Sequence, residues 1–262
     1  MNQNNKTFHL AQFNLKPSIK LSQILSYVPL DSNDVVVEIG AGKGQITKYL
    51  LPKIKKCITY EIDKSLQQDL DQLQQTYQNL EIKWENFLTA QLPKDPYKIV
   101  ANIPFNQTRH IIEKIFFAET LPTLQALILQ KEVSEKIARP PTQNTLLSAF
   151  ILSFYTAEIK HQFQRSDYSP EAHVDTTLLL LQLKLSTNPI NRQQYLHFLT
   201  TLFDSPGQPL KNRLKKIFTY TQIKKIALDY QIKLEKGPHS IPPQTYLGLY
   251  QLYRKLSPQK SK

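Results

Sequence analysis

The sequence predicts an α/β protein: a doubly wound, mostly parallel sheet with an antiparallel edge, followed by a small all-α C-terminal domain. Three observations predict it. Short β-branched or aromatic apolar runs alternate with segments of helical periodicity along the first part of the chain. Three of the six glycines fall together, at Gly40, Gly42 and Gly44, between an apolar run and a helical stretch. Charge is split unevenly: of 33 Lys and Arg and 21 Asp and Glu, residues 190–262 hold 13 and 3, so most of the net +12 lies in the last 73 residues.

Asp34–Ile39 is a β-branched run typical of a buried strand, and Gln45–Leu51 has helical spacing and stops near Pro52. Cys57–Asp63 reads as the next strand. Lys64–Tyr77 reads as a polar helix with Leu66, Leu70 and Leu73 on one stripe. Leu80–Trp84 and Tyr97–Ala101 are strands, Thr108–Phe117 a helix, Thr123–Gln130 a strand and Thr145–Phe154 a helix. Ala157–Phe163 and Thr177–Leu185 are two strands with no helix between them, which predicts the antiparallel edge. Ser186–Pro189 reads as a linker, dividing a domain of residues 1–189 from one of residues 190–262. The latter is read as helices at Gln193–Phe203, Leu210–Phe218, Thr221–Gln231 and Gln244–Lys255.

Composition excludes several classes. Hydrophobic residues make up 40 %, which argues against wholesale disorder. One cysteine excludes a disulfide framework and a cysteine-based zinc site; Cys57 reads as core. The six histidines show no metal-ligand spacing, so no metal is expected. No apolar run of 18 residues exists and the N-terminus lacks the pattern of a secretory signal, so the expectation is a cytoplasmic monomer with no membrane partner. The positive excess points to an acidic partner, nucleic acid first.

Strand, glycine-rich turn and helix form a nucleotide-type cofactor site, because glycine lets backbone approach a ligand closely. The spacing in Glu38-Ile-Gly40-Ala-Gly42-Lys-Gly44 departs from the dinucleotide fingerprint, whose third glycine lies one place later. Glu61, at the end of the second strand, suits the hydroxyls of a ribose, which NAD and S-adenosylmethionine share. Asp63 reads instead as a helix N-cap. Asn102-Ile103-Pro104-Phe105 decides between the two cofactors. It follows a strand, where ligands of such sheets bind, and it supplies what amino-group methylation needs: acceptors for the amino N–H groups (the Asn102 oxygen and a carbonyl near Pro104) and a ring, Phe105, to stack on a base.

The run EIGAGKG, the YEID of the second strand and NIPF, in this order and spacing, resemble the rRNA adenine N6-methyltransferases. Within them the chain looks most like the Erm family of 23S rRNA methylases, with Ile103 where the small-subunit dimethyladenosine transferases usually have Leu. The resemblance covers about Phe8 to Leu256. It implies a Rossmann-like S-adenosyl-L-methionine-dependent methyltransferase domain that moves one or two methyl groups to N6 of a 23S rRNA adenine, with resistance to macrolide, lincosamide and streptogramin B antibiotics. Carried over residue by residue, it implies Gly40 and Gly42 beside the cofactor, Glu61 on its ribose, and Asn86 on its adenine, where most relatives have Asp. Asn102, which also lies at the cofactor, and Phe105 hold the target base, and Tyr168 covers the base's other face. At the N-terminus the family's Gln-Asn-Phe-Leu appears as Gln12-Phe13-Asn14-Leu15, which places Phe13 and Leu15 at the cofactor, or Asn14 in place of Phe13 with a shift of one residue.

A flipped base needs an aromatic slot and a grip on the backbone. The grip is read as Lys211, Arg213, Lys215, Lys216, Lys224 and Lys225, a basic helical rRNA-binding surface. Three other functions fit parts of the sequence: a small-subunit rRNA dimethyladenosine transferase, a non-catalytic RNA-binding relative, and a nicotinamide dehydrogenase. The last explains neither NIPF nor the basic C-terminal region.

Overall fold

A computed structural model of the chain describes residues 14–16, 21–138, 144–184 and 190–256. Strand β1 (Asn14–Leu15) and helix α1 (Leu21–Leu25) lead to β2 (Val35–Ile39), α2 (Gln45–Leu50), β3 (Lys56–Tyr60), α3 (Gln67–Thr76), β4 (Leu80–Lys83) and β5 (Lys98–Asn102). Then follow α4 (Thr108–Phe116), β6 (Leu124–Gln130), α5 (Lys131–Ala138), α6 (Leu146–Phe154), β7 (Tyr155–Phe163), β8 (Tyr168–Ser169) and β9 (Thr176–Leu183). Helices α7 (Arg192–Phe203), α8 (Leu210–Leu214), α9 (Tyr220–Asp229) and α10 (Pro243–Leu256) complete the order.

Seven strands form one sheet in the order β4-β3-β2-β5-β6-β9-β7. The pairs β2–β3, β2–β5, β3–β4 and β5–β6 are parallel. The expected antiparallel edge is present. Lys184 N–H donates to Phe154 O and Thr156 Oγ1 to Gln182 O, so the residue numbers rise on one strand as they fall on the other. Strand β2 pairs on both sides, with β3 and β5, and the strand order reverses there. The carboxyl ends of β2 and β5 therefore flank the switch point where ligands of such sheets bind. The parallel strands are apolar because both faces are covered: Val36, Val37, Ile99, Val100, Ala126 and Leu129 are buried.

Several elements differ from the sequence reading for local reasons. Strand β3 ends at Tyr60; Glu61 N–H still reaches Lys83 O at 3.0 Å, while its side chain bonds the glycine loop. The helix after it opens with a 3-10 turn, Lys64–Leu66, capped by Asp63, whose carboxylate accepts from Ser65 N–H as its capping role requires. Helix α5 starts with no break after β6, so no start signal marked it in the sequence. Strands β1 and β8 are two residues each and pair antiparallel, Leu15 opposite Tyr168, which no periodicity could reveal. The predicted linker at 186–189 lies outside the described residues.

Contacts group the chain into two compact units, Met1–Lys131 with Ile159–Leu180, and Glu132–Glu158 with Leu181–Lys262. This cuts the chain elsewhere than the division at residue 189, because α6 packs on α7 and α10. The second unit is built on rings: Phe150 and Phe154 lie against Tyr195, and Phe198 against Tyr250 and Tyr253. The buried Tyr195 hydroxyl is satisfied by Ser153 Oγ at 2.6 Å. Helices α6 and α9 each begin with a capping box, Thr145 with Ser148 and Thr219 with Gln222.

Candidate active site

The turn after β2 carries the unusual backbone. Gly40, Gly42 and Gly44 have φ of 71°, 55° and 75°, the left-handed region that side chains with a Cβ resist. The outer two differ in what else they do. A Cβ on Gly44 would lie 2.3 Å from Leu73 Cδ1, so this glycine lets α2 approach α3; a Cβ on Gly40 would meet nothing within 4 Å. Gly40 thus leaves open space at the end of β2, where its N–H is held by Tyr60 O at 2.9 Å.

Glu61 braces this turn. Its Oε2 accepts from Gly42 N–H at 3.0 Å, and its Oε1 from Ile62 N–H at 2.8 Å and Asp63 N–H at 2.9 Å. The carboxylate that the sequence assigned to a ribose therefore also fixes the glycine loop from the neighbouring strand. Ile62, beside it, is 52 % exposed. An apolar side chain left in solvent at the edge of a binding cleft suits the face of a flat heterocycle. The sequence reading passed over it, although an Ile between two acidic residues at a strand end was visible there.

A cleft of about 50 Å³ is lined by Leu15, Gly40, Gly42, Gln45, Ile46 and Asn102, with Ala41 and Lys43. Four residues predicted for the cofactor, far apart in sequence, thus meet in one place. In β2, two residues before Gly40, Glu38 is fully buried; Oε2 accepts from Thr47 Oγ1 at 2.6 Å, and Oε1 has no hydrogen-bond partner. Burial pushes this carboxyl up to about 8, against smaller lowering effects from its threonine contacts. A cradle of left-handed glycines with open space above Gly40, and an exposed apolar residue next to the carboxylate that braces it, fit a nucleoside-type ligand. S-adenosylmethionine is such a ligand.

Asn102 ends β5, and Ile103 N–H extends the pairing to Ile128 O at 2.9 Å. Pro104 and Phe105 then leave the sheet in a 3-10 turn, Phe105–Gln107, and Phe105 is half-buried against the core. The Pro104 carbonyl accepts from Gln107 N–H at 2.9 Å and, over a long 3.4 Å, from Thr108 Oγ1, which also donates to Phe105 O at 3.2 Å.

Other predicted residues fall differently. Phe13 lies outside the described residues. Asn86 is exposed, and its Oδ1 accepts from Leu88 N–H at 3.0 Å, so the acceptor expected to read an adenine amino group is engaged within its own turn. Tyr168 is 0 % exposed and its hydroxyl is bonded to Thr176 Oγ1 at 2.6 Å. It packs in the core against Phe163 rather than offering an open ring face. Burial raises its hydroxyl to about 12.

Arg213 is a correction. It is 2 % exposed, and its guanidinium donates to the carbonyls of Leu202, Ser205 and Gln208, satisfying the end of α7 and the turn after it. Such a side chain holds the domain together and offers nothing to RNA. Lys216 is half-exposed and paired with Asp204 at 3.3 Å. Lys211, Lys215, Lys224 and Lys225 are exposed. Among the described residues no helix is long and apolar enough to cross a membrane.

Comparison with known proteins bears on the family and the fold. The sequence profile described as ribosomal RNA adenine dimethylase matches residues 2–255. The chain is 34 % identical over 209 residues to ribosomal RNA small subunit methyltransferase A of Thermotoga petrophila, covering 79 % of each protein. It is 29 % identical over 244 residues to the protein of that name from Mycoplasma mobile, covering 92 % of this chain and 95 % of the relative. An rRNA adenine N-6-methyltransferase of Bacteroides fragilis is 26 % identical over 234 residues, 88 % of this chain and 87 % of that one. Among solved structures, a dimethyladenosine transferase from Plasmodium falciparum superposes with a TM-score of 0.80 at 23 % identity, over 92 % of this chain and 97 % of that one. The 23S rRNA methyltransferase ErmE gives 0.78 at 20 %, over 92 % and 99 %. At these identities the two superpositions speak to the fold.

Proposed function

Because the chain belongs to the ribosomal RNA adenine dimethylase family, we propose that it dimethylates N6 of adenine in small-subunit rRNA. That it is an S-adenosylmethionine-dependent rRNA adenine methyltransferase follows from the family; the choice of subunit is the proposal. One observation carries it: the 29–34 % identity, over most of the chain, to relatives named as small subunit methyltransferases. The Bacteroides fragilis relative stands at 26 %. Against that order of similarity, Ile103 alone is a weak argument for the 23S target and the antibiotic resistance that the sequence reading favoured.

S-adenosylmethionine, when bound, supplies a methyl group on a positively charged sulfur. The residues of this chain supply position. Leu15, Gly40 and Gly42 shape the cleft, and Glu61 keeps the glycine turn in its left-handed conformation. Asn102 lines the same cleft, so its side-chain oxygen serves as acceptor for an adenine N6–H, and Pro104 O takes the second N6–H in exchange for its long contact with Thr108 Oγ1, which keeps Phe105 O as acceptor. Phe105 stacks on the base. No strong general base is required: once aligned and dry, the N6 lone pair forms the N–CH3 bond as the S–CH3 bond breaks to leave a neutral thioether, and the methylated, now cationic N6 gives up its acidic proton to water. Tyr168 acts through the fold: β8 holds β1, and with it Leu15, against the cleft. Lys211, Lys215, Lys224 and Lys225 serve as the RNA grip. Four phosphate contacts predict a slope of about −3 for log K against log salt on single-stranded RNA. The test is transfer of labelled methyl groups to 16S and 23S RNA. Incorporation into 16S alone supports the proposal; incorporation into 23S alone selects the large-subunit reading; cofactor binding with no incorporation into either supports a non-catalytic relative.

A further inference from the structure

Tyr220 is an aromatic side chain that the catalytic site does not use and the core does not bury: it is 56 % exposed at the start of α9. Two ammonium groups attend its ring, Lys224 Nζ at 4.8 Å from the centroid and Lys211 Nζ at 5.9 Å, the latter from α8. Both lysines are exposed. Residues 205–228 hold six Lys and Arg and no Asp or Glu, and the flanking Asp204 pairs with Lys216 rather than with the two lysines at the ring. One helical row continues it: Tyr220, Lys224 and Leu228 stand at i, i+4 and i+8, and Leu228 is 79 % exposed. The row spans about 12 Å of helix.

We infer that Tyr220, flanked by Lys211 and Lys224, is a stacking platform for an unpaired nucleotide of the RNA, with Leu228 as an apolar step for its neighbour. The inference rests on the reading of this unit as the RNA grip and adds what kind of RNA it grips. A solvated cation–π contact is weak, whereas a base stacked on a tyrosine is a stronger and sequence-tolerant one. Phosphates draw the two ammonium groups off the ring, and a base takes their place. A duplex keeps its bases stacked on each other and cannot use the ring, so the platform selects single-stranded segments.

The test is fluorescence anisotropy of the full chain with a labelled oligouridine and with a hairpin duplex, for the wild type, Tyr220→Ala, Tyr220→Phe and the pair Lys211→Gln/Lys224→Gln. The platform predicts about 5- to 150-fold weaker oligouridine binding for Tyr220→Ala, recovery by Tyr220→Phe, and duplex affinity unchanged. The lysine pair should weaken both RNAs and flatten the salt slope by one to two. Tyr220→Ala binding oligouridine as the wild type does would overturn the inference, as expected if the ring serves a protein contact. So would equal loss on both RNAs. Circular dichroism and cofactor affinity report that the variants fold. A wild type that transfers methyl groups to RNA, with Tyr220→Ala binding oligouridine equally well, defeats the platform alone; a wild type that binds neither RNA defeats the RNA grip as well.

Discussion

Replacing Glu61 by Gln keeps size and burial but turns one acceptor oxygen into a donor. In the native protein the two oxygens accept three backbone N–H groups, one from Gly42 and two from Ile62 and Asp63. The least costly glutamine orientation keeps its oxygen on Ile62 and Asp63 and sets its NH2 group against Gly42 N–H. That loses one charge-assisted hydrogen bond, about 2 kcal/mol. Gly42 is held at φ 55°, a conformation that the lost bond no longer supports. The glycine turn then occupies its binding geometry only a fraction of the time, and apparent cofactor affinity falls by that fraction, about 30-fold. Calorimetric titration with S-adenosylmethionine measures the loss, and hydrogen exchange at the Gly42 amide reports the opening before any ligand is added. If cofactor affinity and Gly42 protection both stay within twofold of wild type, the carboxylate is not the brace of this loop. Weaker affinity with unchanged Gly42 protection would confine its role to the ribose.

Other perturbations separate the remaining roles. Glu38 keeps its proton up to about pH 8 in the fold, against 4.5 for an ordinary glutamate, so the native state binds more protons than the unfolded chain between those values. Stability should fall as pH rises through that window, and Glu38→Gln should remove the slope, gaining at most about 5 kcal/mol at pH 8 in urea titrations; a wild type with no slope contradicts the assignment. Asn102→Ala should abolish transfer with folding intact, and Phe105→Ala should lower kcat/KM about 5- to 150-fold, the range of one lost base stack; wild-type rates in either variant refute the placement of the target base. Arg213→Ala should destabilise the protein by about 3–5 kcal/mol by orphaning three carbonyls, whereas Lys215→Ala should leave stability within about 0.5 kcal/mol and weaken RNA binding. Equal thermal stability of the two variants would return Arg213 to the RNA surface.

The residues fall into two groups by how they could be read. Gly40 to Gly44 and the strand Val35–Ile39 announce themselves, since glycine clustering and β-branched runs are local and strong. Asn102 was legible because NIPF places an amide, a proline and a ring within four residues after a strand. Arg213 was misread because six cations in a stretch without acids look alike; only the carbonyls of Leu202, Ser205 and Gln208 set one of them apart. Tyr168 was read by position in a motif, and its burial depends on Thr176 and Phe163, which composition does not connect to it. The brace from Glu61 to Gly42 joins residues 19 positions apart, a pairing set by the parallel register of β2 and β3.

The central claim is the target. Purified protein, labelled S-adenosylmethionine and protein-free or assembling small-subunit RNA should give two methyl groups per modified adenine, mapped by mass spectrometry of nuclease fragments, with 23S RNA unlabelled. Label on 23S RNA and none on 16S RNA would contradict the account.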